Sequence, residues 1–237
     1  MKILVMCGGQ GKRLGRLTEQ IPKPLIRLHG KTILQIKLEE YFRQGFREFI
    51  FCLGYKGEMI REEIHRLDLG IAAEFSDAGE QAGILQRLHS ARILFDGSVL
   101  MTYGDTYTNI DLSGFITAHR NGRRSATIVT APIRSPFGLV ETDQNGMVTF
   151  FKEKPVLNYY IGYAIINRDA LEVIPLDMLR LPDGEGLVRF YQSLITDHRL
   201  GVYDHTGLQI TFNTPGELKF AEEALLQFYT NAEMNNE

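Results

Sequence analysis

No excess of basic charge marks this chain: 26 Lys and Arg against 29 Asp and Glu leave a formal net charge of -3. A field that would gather nucleic acid is therefore missing, and no nucleic-acid partner is expected. Cysteine is scarce as well. The two residues present, Cys7 and Cys52, both sit in apolar runs, which argues against a disulfide framework and for a reducing cytoplasm. Long apolar runs are also lacking. None approaches the roughly 20 residues needed to span a bilayer. The opening Met1–Met6 stretch is too short for the core of a secretion signal and meets glycines at once. The expectation is a soluble cytoplasmic protein without a membrane partner. No internal repeat or low-complexity segment interrupts the chain.

What is present suffices for one core. Hydrophobic residues make up 44% of 237 residues and charged residues 23%, enough for a single domain with at most an attached lobe. Lys2–Cys7 and Glu48–Leu53 are short continuous apolar runs, as strands buried on both faces are. Between them, Ile33, Leu34, Ile36, Leu38, Tyr41 and Phe42 follow helical spacing. A helix through Met59, Ile60, Ile64 and Leu67 comes next, then a strand at 71–75, a helix at 82–94 and a strand at 98–102 ending in Tyr103-Gly104-Asp105. This alternation predicts a parallel sheet with helices on both faces.

Past residue 125 the elements shorten. Strands are predicted at 126–131, 138–142, 147–151 and 159–167, with Asp143-Gln-Asn-Gly146 as a hairpin turn. Asp111 has the form of an N-cap before Leu112. Thr214-Pro215-Gly216-Glu217 has the form of a capping box opening a helix to about Tyr229. The whole chain, 1–237, reads as one domain: a nucleotide-binding half over about 1–125, an acceptor-binding lobe over about 126–230 and a frayed tail at 231–237. Apolar residues on the last helix are compatible with a homo-oligomer.

Gly8-Gly9-Gln10-Gly11-Lys12-Arg13-Leu14 follows the first strand directly. Glycines let a backbone approach phosphate closely, and Lys12 and Arg13 can add charge-assisted contacts. The same residues would serve a tight strand-to-helix turn. The loop lacks the Gly-Lys-Ser/Thr ending of a Walker loop. It also carries Leu14 where a dinucleotide fingerprint needs its third glycine, and the second strand ends in Leu53-Gly54-Tyr55 without a ribose-binding acid. Hydride chemistry is disfavoured on both counts.

The combination of Gly8-Gly-x-Gly-x-Arg-Leu14 with Pro22-Lys23-Pro24-Leu25 resembles the signature of the sugar-phosphate nucleotidyltransferases. Phe49-Ile-Phe-Cys-Leu-Gly-Tyr-Lys-Gly57, Thr102-Tyr-Gly-Asp105 and Phe137-Gly138 look most like the glucose-1-phosphate cytidylyltransferases among them. That resemblance implies a Rossmann-like α/β fold of GT-A type. Its sheet would be mixed but mostly parallel and flanked by helices, with a smaller C-terminal α+β lobe. The implied activity is Mg2+-dependent transfer of a nucleotidyl group from an NTP, with CTP favoured, to a sugar 1-phosphate or related small phosphorylated acceptor.

The resemblance also assigns residues. Arg13, Lys23 and Asp105 would be catalytic, with Lys23 on phosphate oxygens at the reacting centre and Asp105 the principal metal ligand. Met6, Cys7, the loop Gly8, Gly9, Gln10, Gly11, Lys12 and Arg13, and Gln81, Gly83 and Gly104 would bind nucleotide. Glu153, Lys154 and Gly162 would face the acceptor. The pattern departs from the family in three places. Asn213 stands where a second metal-binding aspartate is usual, with Thr211 there in another alignment and Glu217 a further candidate ligand. Tyr160 replaces an asparagine that touches sugar hydroxyls. Ile84 replaces a base-reading arginine. CMP transfer to a non-sugar phosphate, or a nucleotide-binding relative that has lost chemistry, are the alternatives these departures raise.

Overall fold

Four apolar residues without a charge, Ile3–Met6, form β1, a strand buried on both faces. The computed structural model describes residues 1–182 and 184–234. After β1 come α1 (Arg16–Gln20), the short pair β2 (Arg27–Leu28) and β3 (Lys31–Thr32), α2 (Ile33–Arg43), β4 (Glu48–Leu53), α3 (Gly57–Leu67) and β5 (Ala72–Asp77). The chain continues through α4 (Ile84–Ala91), β6 (Ser98–Tyr103), β7 (Thr106–Thr108) and α5 (Leu112–Gly122). The second half holds β8 (Ala126–Arg134), β9 (Leu139–Thr142), β10 (Val148–Lys152), β11 (Val156–Asn167), α6 (Arg168–Glu172), α7 (Leu176–Leu179), α8 (Glu185–Thr196), β12 (Leu200–Asp204), β13 (Gln209–Thr211) and α9 (Pro215–Met234).

Seven of the described strands make one sheet in the order β12-β8-β11-β6-β1-β4-β5. β11 runs antiparallel to both its neighbours, and the other pairings in the sheet are parallel. The sheet is thus mixed and mostly parallel, as the fold expected from the sequence requires. Its C-terminal strands continue the same sheet. From β1 the chain first winds outward through β4 to β5, then returns to place β6 on the other side of β1. That reversal opens a crevice at the carboxyl ends of β1 and β6, where open α/β sheets bind ligands.

Alternate residues of the central strands feed two cores. Ile3, Val5, Phe49, Phe51 and Leu100 pack with Leu34, Leu38 and Phe115 on one face. Leu4, Met6, Ile50, Cys52 and Met101 pack with Leu85, Leu88, Leu171 and Phe190 on the other. A third cluster joins Leu28, Ile33, Ile36, Tyr107, Ile210 and Phe212 to Ala221 and Leu225 of α9. The β2–β3 and β7–β13 pairings, which sequence patterning did not predict, bring these residues together.

Local signals explain most boundaries. Thr32 caps α2 by accepting from Gln35 N, and Asp111 caps α5 by accepting from Gly114 N. The Asp143–Gly146 turn forms, with Asp143 Oδ1 accepting from Asn145 N and Met147 N, each at 2.9 Å. Three expectations need correction. Phe42, placed on the apolar stripe of α2, is exposed under the Arg47 guanidinium, while Lys37 is wholly buried. The helix expected from residue 82 begins at Ile84. The last helix extends to Met234, with neither proline nor glycine after Tyr229 to end it; the remainder of the tail expected to fray, 235–237, lies outside the described residues.

One buried group gives the fold a pH dependence. His119 of α5 is held between Thr127 Oγ1 at 2.8 Å and Asn167 Oδ1 at 2.9 Å. Burial lowers its imidazole below the ordinary 6.5; the Asn167 bond opposes this and Arg120 adds to it. With the folded value depressed, the unfolded chain binds more protons just below pH 6.5, so stability is full above that pH and declines beneath it. Urea midpoints at pH 7.5 and 5.5 should fall less between the two conditions in His119→Gln than in the native protein.

Candidate active site

A cleft of about 600 Å³ opens at the carboxyl ends of β1 and β6. Residues from Met6 to Leu14 form one wall, Lys23 and Pro24 the floor, and Glu80, Gln81, Ala82 and Ile84 a second wall. Tyr103, Asp105 and Thr106 close a third side, and Tyr160, Ile161, Gly162, Gln209, Thr211 and Asn213 complete the lining.

The glycine loop is held from beneath by Arg87 of α4, which is 4% exposed. Its guanidinium donates to Gly8 O at 3.2 Å, to Glu80 O at 3.2 Å and to Leu53 O. One planar fork therefore joins the start of the loop, the end of β4 and the segment before α4. A Cβ on Gly8 or on Gly54 would fall on that guanidinium, so glycine here serves close approach. Lys12 and Arg13 remain exposed at the cleft rim.

Opposite the loop, three side chains converge. Lys23 is 6% exposed, and its Nζ lies 2.6 Å from Asp105 Oδ2 and 3.3 Å from Asn213 Oδ1. Phe212 lies under the same ammonium, 5.3 Å from ring centroid to Nζ. The β7–β13 pairing is responsible: Thr106 sits opposite Thr211, which carries Asp105 and Asn213 to one edge. Glu217 is not turned to this point. Its carboxylate accepts from Asn213 N at 2.7 Å, while its own N–H donates to Thr214 Oγ1 at 3.3 Å. The capping box thus reaches one residue further back than expected and fixes the backbone of Asn213.

Two hard oxygen donors meeting at one ammonium also suit a small divalent cation. Among the described residues there is no cluster of three or more His, Cys, Asp and Glu side chains. An ion held by Asp105 and Asn213 would therefore draw its other ligands from water and substrate phosphates, the pattern of Mg2+. Cys7 lines the cleft, but burial, chiefly, pushes its thiol far above the ordinary range. It offers no thiolate nucleophile.

The acceptor-side residues divide. Gly162 lines the cleft, with φ 79 where β11 breaks register, and a Cβ there would strike the Tyr103 ring. Tyr160 meets Tyr103 and Tyr191 edge to face, and its hydroxyl lies 3.2 Å from that of Tyr191. Glu153 and Lys154, by contrast, are exposed just beyond β10 and do not line the cleft. Gly83 caps α4, and Gly104 is buried against Cys7, Met6 and Pro24 rather than lining the space. Met6, Cys7, Gly8 to Arg13, Gln81, Lys23, Asp105 and Asn213 are all brought to one cleft. Arg87 was missed. The signal for it was a single arginine among the apolar positions of α4.

Loop, ammonium and carboxylate at a reversal of strand order define the class: an α/β domain built to hold phosphorylated ligands at the carboxyl edge of its sheet. The chain belongs to the Nucleotidyl transferase family, whose profile matches residues 2–166. It is similar to a protein described as a probable glucose-1-phosphate cytidylyltransferase of Bacillus subtilis (strain 168), 30% identical over 238 residues covering 90% of this chain and 92% of that protein. A UTP–glucose-1-phosphate uridylyltransferase of Synechocystis sp. is 27% identical over 74% of this chain and 51% of its own length. Among solved structures, HddC from Yersinia pseudotuberculosis in complex with GMP-PN superposes with a TM-score of 0.71 at 20% identity, covering 94% of this chain and 99% of that one. This last likeness shows the shared fold.

Replacing Arg87 by Met would remove the side-chain donor to the carbonyl oxygens of Leu53, Gly8 and Glu80, at a cost of about 1–3 kcal/mol for each buried oxygen left unpaired. Arg87→Met should lower the denaturant midpoint and raise the KM for NTP by about tenfold or more, since the loop loses its anchor. Steady-state kinetics alongside urea titration will read both.

Proposed function

We propose that this protein transfers a nucleoside monophosphate from an NTP to a sugar 1-phosphate or a related small phosphorylated acceptor, releasing pyrophosphate, with Mg2+ at Asp105. The observation that carries the proposal is the meeting of Lys23 Nζ with Asp105 Oδ2 and Asn213 Oδ1 across the cleft from the glycine loop. In this reading, residues 1–125 serve chiefly the nucleotide and 126–230 chiefly the acceptor.

The bond formed joins an acceptor phosphate oxygen to the α-phosphorus; the bond broken joins that phosphorus to the bridging oxygen, whose electron pair leaves with pyrophosphate. A phosphate monoester has its second pKa near 6, so it attacks as a dianion without a side-chain base. Gly8 to Arg13 hold the triphosphate, with Lys12 and Arg13 supplying charge at the rim. Lys23 neutralises negative charge shifting among phosphoryl oxygens at the reacting centre. Asp105 and Asn213 would hold the metal ion, which would supply charge neutralisation at the phosphate oxygens. Catalysis is then alignment and charge neutralisation. NTP donors place such an enzyme in the cytoplasm.

CTP is the favoured donor in this reading, supported by the likeness to the Bacillus subtilis protein along nearly the whole of both chains. Uridylyl relatives match the chain too, so the panel of donors must include UTP, GTP, ATP and dTTP. The acceptor side favours a second reading alongside the first. Tyr160 presents ring where an asparagine would present hydrogen bonds, its hydroxyl is engaged by Tyr191, and Glu153 and Lys154 stand off the cleft. Such a wall suits an acceptor with fewer hydroxyls to read than a common hexose 1-phosphate, non-sugar phosphates included.

Pyrophosphate release should therefore be measured across those donors, with hexose 1-phosphates and less hydroxylated phosphomonoesters as acceptors. Lys23→Met and Asp105→Asn should each reduce turnover by about 100-fold or more while far-UV circular dichroism stays native. Saturable nucleotide binding with no pyrophosphate from any pair would leave a binding protein instead of a transferase.

A further inference from the structure

Lys37 lies on the buried face of α2, four residues after Ile33 and four before Tyr41. It is 0% exposed. A lysine so placed would ordinarily carry its ammonium to water along its flexible stem. Here the ammonium stays inside, and its three protons are all engaged. Nζ donates to Thr102 Oγ1 at 2.7 Å, to Tyr163 Oη at 2.7 Å and to Tyr41 Oη at 3.0 Å. The two phenols are also joined, Tyr41 to Tyr163 at 3.0 Å, and the ammonium lies 4.5 Å from the Tyr163 ring centroid.

Burial lowers the Lys37 ammonium, with the Tyr163 phenol opposing. Burial also raises the Tyr163 phenol, but the Lys37 charge and the hydrogen bonds from Lys37 and Tyr41 outweigh it and leave that phenol lowered. None of the direct partners is a carboxylate, so this is not an ion pair whose role is exhausted by charge cancellation. An apolar side chain of similar length would fill the same space without the desolvation cost.

What the network holds is informative. Thr102 belongs to β6, the strand entering the Gly104-Asp105 turn. Tyr163 itself lies directly after Gly162 on β11, opposite Thr102. The strand that enters the turn presenting Asp105 is therefore tied to one buried ammonium, and so is the strand that carries the acceptor wall. Asp105 is close enough for its charge to bear on Lys37.

We propose that Lys37 is a positioning residue for Asp105: through Thr102, and through Tyr163 opposite it on β11, it clamps the strand that enters the Gly104-Asp105 turn and so sets the divalent-ion affinity of the site. This rests on the assignment of Asp105 as a metal ligand made above, but not on the identity of the acceptor. Groups that orient a ligand from behind typically change metal affinity by about 10–100-fold when removed.

The test is a Mn2+ titration of the full chain followed by electron paramagnetic resonance, with a non-hydrolysable NTP analogue present and no acceptor. Lys37→Met should raise the Mn2+ dissociation constant by about tenfold, and Tyr163→Phe, which removes one of the three partners of the ammonium while keeping the ring, by a smaller factor in the same direction. Where the enzyme turns over, the Mg2+ concentration for half-maximal rate should rise in parallel. The KM for NTP at saturating metal should stay within about threefold, because the glycine loop is anchored independently through Arg87. A packing-only role would lower the melting temperature and leave the metal titration unchanged, and that result in folded Lys37→Met overturns the proposal. Should Lys37→Met not fold, Tyr163→Phe decides alone: native Mn2+ affinity there overturns the clamp. Absence of pyrophosphate release by the native protein removes the transferase reading without touching the Mn2+ comparison.

Discussion

Strand β1 is flanked on both sides by parallel partners, β4 and β6, and its four residues are buried on both faces. From that constraint the rest of the molecule takes its form. A strand paired on both edges cannot end in the sheet; it must leave at its carboxyl end, and there the chain turns through glycine. Because β6 returns to the opposite side of β1 from β4, no helix can cover the gap between their exits. The glycine loop and the Gly104-Asp105 turn therefore face one another across an opening that the topology itself leaves vacant. Ligand chemistry is located by the winding of the sheet before any side chain is chosen.

The side chains then arrange charge in two tiers. In the cleft, Lys23 shares its ammonium between a carboxylate and an amide oxygen. Behind the turn, Lys37 is bonded to hydroxyls, and under the loop Arg87 is bonded to carbonyls. The inner cations have neutral partners. They keep their field while being hydrogen-bonded, a favourable arrangement beside a site that would gather a triphosphate and a phosphate monoester. In the outer tier, Lys23 can exchange its carboxylate for phosphate oxygens when those arrive, whereas Lys37 and Arg87 have no solvent-facing alternative.

Much of this was legible in the sequence, for identifiable reasons. Continuous apolar runs such as Glu48–Leu53 and polar punctuation such as Asp143–Gly146 report directly on buried strands and turns. The glycine loop, Lys23 and Asp105 were legible because close backbone approach and hard-oxygen chemistry restrict residue choice. Lys37 was not, because helical periodicity treats a lysine as a solvent-facing residue and two of the three hydroxyls that satisfy it lie 65 and 126 residues away. A strand at 208–212 was legible, but its pairing with β7 was hidden for a similar reason: the three-residue β7 carries little pattern, and the partners meet only in the folded chain. Glu153 and Lys154 were singled out by a charged motif, yet motif spacing says nothing of whether a hairpin turns its end toward the cleft or away from it.

The two cysteines, first met as evidence against a disulfide framework, have a practical consequence. Cys7 and Cys52 lie on neighbouring strands and are fully enclosed, and burial drives both thiols upward, Cys52 to about 12. At neutral pH almost no thiolate exists to meet an alkylating reagent or a peroxide. The native fold is in effect chemically blank at sulfur. A single cysteine introduced on the exposed β9–β10 hairpin would be the one reactive thiol, so a dye or spin label could report that hairpin's movements while the core stays unmarked.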